Sequence, residues 1–293
     1  MFAGAHTALV TPFLPQGMID TEAFRKIIDE QFASGITGVV PVGTTGESAT
    51  LSTEEHRRVI EIAVKQTAKR GLVIAGTGSN STREAVDLTQ AAELAGADAA
   101  LLVTPYYNKP SQEGLFQHYR AVAESTDLPL MLYSIPGRCH IHIEVETVAR
   151  LAKSCSNIRA IKEAGGVTER VRQLKAGLPD DFEILCGDDA LTLDFMKAGA
   201  VGVVSVASNL IPGPIAKLAA AMLSGEQGEA EAIHEKYSGL FADFLKLDTN
   251  PVPIKAAMGL AGKCLPKLRL PMVEMPDEKV AELKATLSSL GLI

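Results

Sequence analysis

Short runs rich in Val, Ile, Leu and Ala alternate along this chain with amphipathic stretches, at a spacing of roughly 25–35 residues, and that alternation limits the fold more than any other feature. Eight runs have strand character: His6–Thr11, Gly38–Val42, Leu72–Gly76, Ala99–Val103, Leu130–Tyr133, Ile158–Lys162, Glu183–Cys186 and Gly202–Val206. Most are continuously apolar, as strands buried on both faces in a parallel sheet are. The stretches between them carry helix-start signals. Asp20 or Thr21 opens one, and Ser52 or Thr53 with Glu54 and Glu55 opens the next. Ser81 with Glu84 has capping-box spacing, and Asp188 precedes the stretch containing Leu193, Phe195 and Met196. Eight β/α units in series predict an α/β fold, a (β/α)8 barrel. A doubly wound sheet is the alternative. Its first turn is normally Gly-rich and binds a nucleotide, whereas the first turn here is Thr11-Pro12-Phe13. After Val206 the pattern changes. Two prolines follow within Ser208–Pro214, and from Ile215 the sequence is helical, broken by Pro251, Pro253, Pro266, Pro271 and Pro276. The expected organisation is a barrel over 1–224 and a helical C-terminal domain over 225–293.

The 293 residues suit one such barrel with an extension, and a formal net charge of −7 argues against nucleic acid or an anionic membrane as partner. No apolar run is long enough to span a bilayer. The first basic residue is Arg25, and His6 and Pro12 interrupt any signal-type apolar stretch, so a cytoplasmic location is expected. Four cysteines, at 139, 155, 186 and 264, lack framework spacing and read as reduced thiols.

Barrel chemistry sits in the loops after the strands, so those loops are the places to look for function. The sixth run, Ile158-Arg-Ala-Ile-Lys162, ends on a lysine and is followed by Glu163-Ala-Gly-Gly166. With period 2, Ile158, Ala160 and Lys162 share one face. Facing the barrel interior, Lys162 is an amine among apolar neighbours. Desolvation disfavours the ammonium form and leaves a nucleophile suited to Schiff-base chemistry; a lysine snorkelling at a strand end is the plainer alternative. Gly43-Thr44-Thr45-Gly46 is a turn whose amides can converge on an anion of carboxylate size, or simply a Gly-rich turn. No Walker lysine follows it. Tyr107 and Tyr133 lie at strand ends, and with Thr44 their hydroxyls could pass protons along a chain. Arg138, beyond Pro136, would grip a carboxylate in bidentate fashion, or lie on the surface. Asp188-Asp189 reads as helix capping. His140 and His142 lack the further ligands of a metal site, and Cys139 lacks the orienting group of a nucleophile.

Taken together, Gly43-Thr-Thr-Gly-Glu47, the loop containing Tyr133, Pro136 and Arg138, and Ile161-Lys162-Glu163 resemble the pyruvate-dependent class I aldolase superfamily. The likeness is to its dihydrodipicolinate synthase branch, and it runs from Met1-Phe-Ala-Gly4 through Thr104-Pro-Tyr-Tyr-Asn108 to Asn250-Pro-Val-Pro253. The resemblance implies that Lys162 condenses with pyruvate and that Thr44, Tyr133 and Tyr107 relay protons, Tyr107 reaching into a neighbouring subunit. It implies that Thr44–Thr45 hold the pyruvate carboxylate, that Arg138 holds that of aspartate semialdehyde, and that Gly187 and Val204 line the pocket. Neither metal nor organic cofactor is implied, and the usual assembly is a homotetramer, a dimer of dimers. An inhibitory L-lysine site is implied at Ser48, Ala49, His56, Asn80, Glu84 and Tyr106. Two departures stand out. Thr53 occupies a position that is histidine in some members, and Cys139-His140 stands where Thr-Gly is common. The rival functions are another pyruvate lyase, acting on sialic acid or a ketodeoxy sugar acid, and a barrel that only binds a keto acid.

Overall fold

The computed structural model describes residues 1–293. Eight parallel strands close into a barrel in sequential order: β1 (Gly4–Ala8), β2 (Gly38–Val40), β3 (Leu72–Gly76), β4 (Ala99–Val103), β5 (Leu130–Ser134), β6 (Ile158–Glu163), β7 (Glu183–Cys186) and β8 (Gly202–Ser205). Around and after them run α1 (Thr21–Ala33), α2 (Thr53–Thr67), α3 (Thr82–Leu94), α4 (Gln112–Ala123), α5 (Pro136–Cys139), α6 (Val145–Ser154), α7 (Thr168–Gly177), α8 (Thr192–Lys197) and α9 (Pro212–Ser224). Three further helices, α10 (Gln227–Lys246), α11 (Val252–Leu260) and α12 (Asp277–Ser289), form the C-terminal helical part. No helix is long and apolar enough to cross a membrane.

Closure is made by β1 pairing with β8, where Gly4 lies opposite Gly202. A Cβ on Gly202 would sit 1.9 Å from the Gly4 carbonyl oxygen, so this seam accepts glycine alone. The barrel is filled rather than hollow, as expected of eight strands. Ala8, Val40, Ile74, Leu101, Met131, Tyr133, Ala160, Leu185 and Val204 pack inside it over Phe2. A larger apolar cluster lies between the sheet and the helices.

The strands fall where the apolar runs place them, within a residue at the ends of β5, β6 and β8 and with larger differences in the first two. The first strand is Gly4–Ala8 rather than His6–Thr11, and the second stops at Val40. Val42 takes a left-handed φ of 52°, which ends extended pairing before the Gly43 turn. In β6, Leu130 pairs with Ile158 and Met131 with Ala160, so Arg159 is an extra, unpaired residue. The bulge changes the parity: Ile158 joins the outer cluster while Ala160 faces inward. The expectation that Ile158 shares the face of Ala160 and Lys162 is therefore corrected.

The helix starts follow their caps. The Asp20 carboxylate accepts from the Ala23 amide at 3.0 Å, and Ser52 and Glu55 form a full capping box. Ser81 caps α3, but Glu84 does not complete a box there, because its carboxylate accepts from the Ser79 hydroxyl instead. Two prolines lie in the first turn of α9, where their missing amides cost nothing. That helix therefore starts at Pro212, a little before the expected Ile215.

Candidate active site

The carboxyl ends of the strands surround a cavity of about 640 Å³ whose walls include Thr44, Thr45, Tyr133, Arg138, Lys162 and Gly187. Helix α10 and the segment after it roof this cavity, with Phe241, Phe244, Leu245, Asp248, Thr249 and Asn250. A broader depression of about 800 Å³ lies at the other end of the barrel, bordered by Met1, Arg159 and Glu183. It lies opposite the end where barrels of this type place their chemistry.

Lys162 is the penultimate residue of β6, with only 5 % of its surface exposed, and its Nζ lies 4.2 Å from the centroid of the Tyr133 ring. The two residues are register partners on adjacent strands, so the sheet itself sets this contact. The adjacent carboxylate, Glu163, is not available to the amine. It turns to the other face, where the Gly165 amide and the Arg170 guanidinium each donate to it at 2.8 Å. Lys162 takes part in no ion pair. Gly187 explains the space around the amine: a Cβ there would lie 3.0 Å from Cε of Lys162 and 2.7 Å from Cβ of Ala164.

Opposite the lysine, the turn after β2 is closed by Gly46 and Glu47 amides donating to the Gly43 and Thr44 carbonyls, both at 3.1 Å. The Thr44 and Thr45 amides are used by no acceptor within the chain, which leaves them to a ligand oxygen. Thr44 and Tyr133 share the cavity, but no direct hydrogen bond joins their hydroxyls. Tyr107 is not part of the cavity wall. It is 90 % exposed at a left-handed φ of 72°, and it contributes nothing to its own chain's cavity. Val204 packs inside the barrel and is not part of the cavity wall, where Val206 appears instead.

Arg138 stands at the rim on α5, and its Nη2 donates to the Asn250 carbonyl at 2.9 Å. The Cys139-His140 departure is accommodated locally. Cys139 is buried and donates to the Thr104 carbonyl at 3.1 Å, and burial pushes its thiol pKa up to about 11. His140 adopts the left-handed φ of 59° that glycine would take more readily, and so ends α5. Asp188 caps the turn before α8 through the Ala190 amide, as expected. Asp189 does something else: it accepts from the Ser205 hydroxyl and from the Val206 and Ala207 amides, tying β7 to the loop after β8. Burial raises the pKa of both carboxyls.

A second cavity of about 470 Å³ shares Thr44, Ile135, Arg138 and Asn250 with the first. Ser48, Ala49, His56, Glu84 and Tyr106 line it, as does Thr53. Asn80 is not part of its wall; its carbonyl accepts from the Asn108 side-chain amide at 2.8 Å. Burial holds the His56 pKa below its ordinary value, partly opposed by a hydrogen bond to the Gly76 carbonyl and by Glu84.

Asn250 is the contributor that the strand-end loops did not reveal. Its carbonyl holds Arg138, and its side-chain amide donates to the Thr45 hydroxyl at 3.0 Å. Its Asn-Pro pair ends a helical stretch, which marks a turn and not a site, and the resemblance that includes Asn250-Pro-Val-Pro253 implies no role for it.

A closed parallel barrel with a buried, unpaired lysine at the carboxyl end of one strand has the architecture of a class I aldolase. Residues 1–290 match the Dihydrodipicolinate synthetase family, and the chain belongs to it. A 4-hydroxy-tetrahydrodipicolinate synthase of Syntrophus aciditrophicus is 50% identical over 293 residues, covering all of both chains. The structure of a chloride-inhibited dihydrodipicolinate synthase from Acinetobacter baumannii, complexed with pyruvate, superposes with a TM-score of 0.97 at 40% identity over the whole of both chains. That of the Cyanidioschyzon merolae enzyme with lysine bound gives 0.96 at 39% identity, over 100% of this chain and 99% of that one.

Proposed function

We propose that this chain condenses pyruvate with aspartate 4-semialdehyde to 4-hydroxy-tetrahydrodipicolinate, a step of lysine and diaminopimelate biosynthesis, through an imine on Lys162. The observation that carries the reading is the lysine itself, buried at the barrel's open end without a counter-ion and facing two free amides across the cavity. The amine adds to the C2 carbonyl of pyruvate, and the former carbonyl oxygen leaves as water. The iminium withdraws electrons, so the C3 methyl gives up a proton to the hydroxyls of Thr44, Tyr133 and, from a neighbouring subunit, Tyr107. The enamine carbon attacks the aldehyde, whose oxygen takes a proton. The amino group of the adduct then displaces Lys162 and closes the ring. Because the iminium is the electron sink, the sequence of steps calls for no cofactor.

In this reading the Thr44 and Thr45 amides hold the pyruvate carboxylate and Arg138 that of the semialdehyde. Gly187 leaves room for the imine, and Val204 supports the cavity from below. Residues 1–224 act as the catalytic barrel and 225–293 as its cover, in a cytoplasmic homotetramer. The exposed Tyr107 ring supports assembly, since it has no role within its own chain. Borohydride added with pyruvate tests the core of the proposal. The expected result is a reduced adduct on Lys162 and none on a Lys162→Ala chain. An unmodified lysine at saturating pyruvate, or faster cleavage of N-acetylneuraminate than condensation, sinks it.

The second cavity fits an inhibitory L-lysine, with Glu84 for its ammonium group and Ser48, Ala49, His56 and Tyr106 around it. Glu84→Ala is expected to remove inhibition by millimolar lysine while condensation continues. Equal inhibition of both chains refutes this assignment alone.

A further inference from the structure

Helix α11 is apolar on every side apart from one residue. Lys255 sits in its second turn and is 0 % exposed. Its ammonium group pairs with Glu47, donates to the Lys267 carbonyl at 2.8 Å and lies 4.2 Å from the centroid of the Phe13 ring. The second oxygen of Glu47 accepts from the Arg269 amide at 3.0 Å. The Arg269 guanidinium lies 4.4 Å from the same Phe13 ring and grips both oxygens of Glu55 at 2.6 Å. Two cations on one ring, balanced by two carboxylates, thus tie α11 and the segment after it to the loop after β2 and the start of α2.

Glu47 is the last residue of the Gly43-Thr-Thr-Gly-Glu47 segment. It has a left-handed φ of 54°, and its amide donates to the Thr44 carbonyl at 3.1 Å. Such a conformation persists in a non-glycine residue where its surroundings over-determine it. Here the surroundings are the Lys255–Glu47 pair on one side and the Thr11 hydroxyl, which donates to the Gly46 carbonyl at 2.7 Å, on the other. A buried ion pair is an inefficient source of stability, since neutral partners of similar volume often do as well. What neutral partners would not keep is the fixed geometry of a turn held at its end by two charge-assisted donors.

We infer that the buried Lys255–Glu47 pair is a positioning device for the Thr44–Thr45 turn, so that Lys255, which touches no substrate, sets how well the turn receives the carboxylate of the 2-oxo acid. This rests on the proposed condensation and adds a residue from outside the cavity to it. Arg138 is anchored by the Asn250 carbonyl and not by Lys255 or Glu47, so the second substrate feels the pair only indirectly, through the Asn250 side chain on the Thr45 hydroxyl, and the effect falls first on the first substrate.

The test is the double variant Glu47→Gln/Lys255→Met, which removes both charges together and leaves neither buried alone. The pyruvate concentration for half-maximal borohydride trapping, and the KM for pyruvate, are expected to rise about tenfold or more. The KM for aspartate semialdehyde is expected to stay within about twofold. A purely structural role would lower Tm or change both KM values in parallel, and either result without the split overturns the inference. An unchanged pyruvate requirement also overturns it. If the double variant does not fold, Lys255→Arg, which keeps the charge but shifts its reach, takes its place in the same measurement, and the split between the two KM values again decides the matter. Parent protein that gives no adduct at all points to failure of the condensation reading itself.

Discussion

Lys162 reaches the cavity because its neighbours on either side have other commitments. Glu163 is held by Gly165 and Arg170, and the Tyr133 phenyl face, not a carboxylate, meets the Lys162 nitrogen. The same crowding makes Gly187 a sensitive position. Gly187→Ala places a methyl 2.7 Å from Cβ of Ala164 and 3.0 Å from Cε of Lys162, so the segment around Ala164 must shift and the amine must tilt with it. The expected outcome is a folded protein whose pyruvate adduct forms at least tenfold more slowly. Trapping at the parent rate would show that the lysine has slack the packing does not suggest. At this scale the sequence was legible wherever a residue sits at the end of its own strand. Lys162, Tyr133 and the Gly43–Glu47 turn could be placed from alternation and spacing alone. Asn250 and Lys255 could not, because what they touch lies some two hundred residues away in the chain. For Lys255 there was a usable signal: one charged residue inside Val252-Pro-Ile-Lys-Ala-Ala-Met258 has nowhere to go but a buried partner.

Among the elements, the apolar runs located eight strands, and their errors have a common physical cause. Run length reports burial, and residues just beyond a strand can be buried without pairing. Leu9, Val10 and Thr11 are all buried, yet they lie in the loop after β1, which inflated the expected strand. The Arg159 bulge is the opposite case. Period-2 reasoning assigned Lys162 to the interior correctly and Ile158 incorrectly, because an extra residue between them resets the alternation. Helix starts were read more reliably than box partners. Ser81 does cap α3, but the side chain of Glu84 prefers the Ser79 hydroxyl beside the second cavity. Tertiary surroundings decide which of two nearby hydroxyls a carboxylate takes, and spacing alone does not record them.

For the whole molecule, acid is the informative stress. His6 and His118 are buried, and burial lowers the pKa of each from 6.5 to about 4. Between those values the unfolded chain binds protons that the folded chain excludes, so their contribution is intact above pH ~6.5 and is lost as pH falls toward ~4. At full effect each amounts to roughly 3 kcal/mol. The raised carboxyl pKa values of Asp188 and Asp189 act in the opposite sense just above their ordinary range. Calorimetry from pH 7.5 to 5 should show a falling Tm, and His118→Asn should make the fall shallower; parallel profiles would assign acid sensitivity elsewhere. One consequence belongs to the partition between the two cavities. Thr44, Ile135, Arg138 and Asn250 each present one side to the keto-acid chamber and the other to its neighbour. If an amino acid lodged next door loosens the grip on pyruvate by some factor, thermodynamic reciprocity requires pyruvate to loosen the grip on that amino acid by the same factor. The inhibitor would then bind least well when substrate is plentiful.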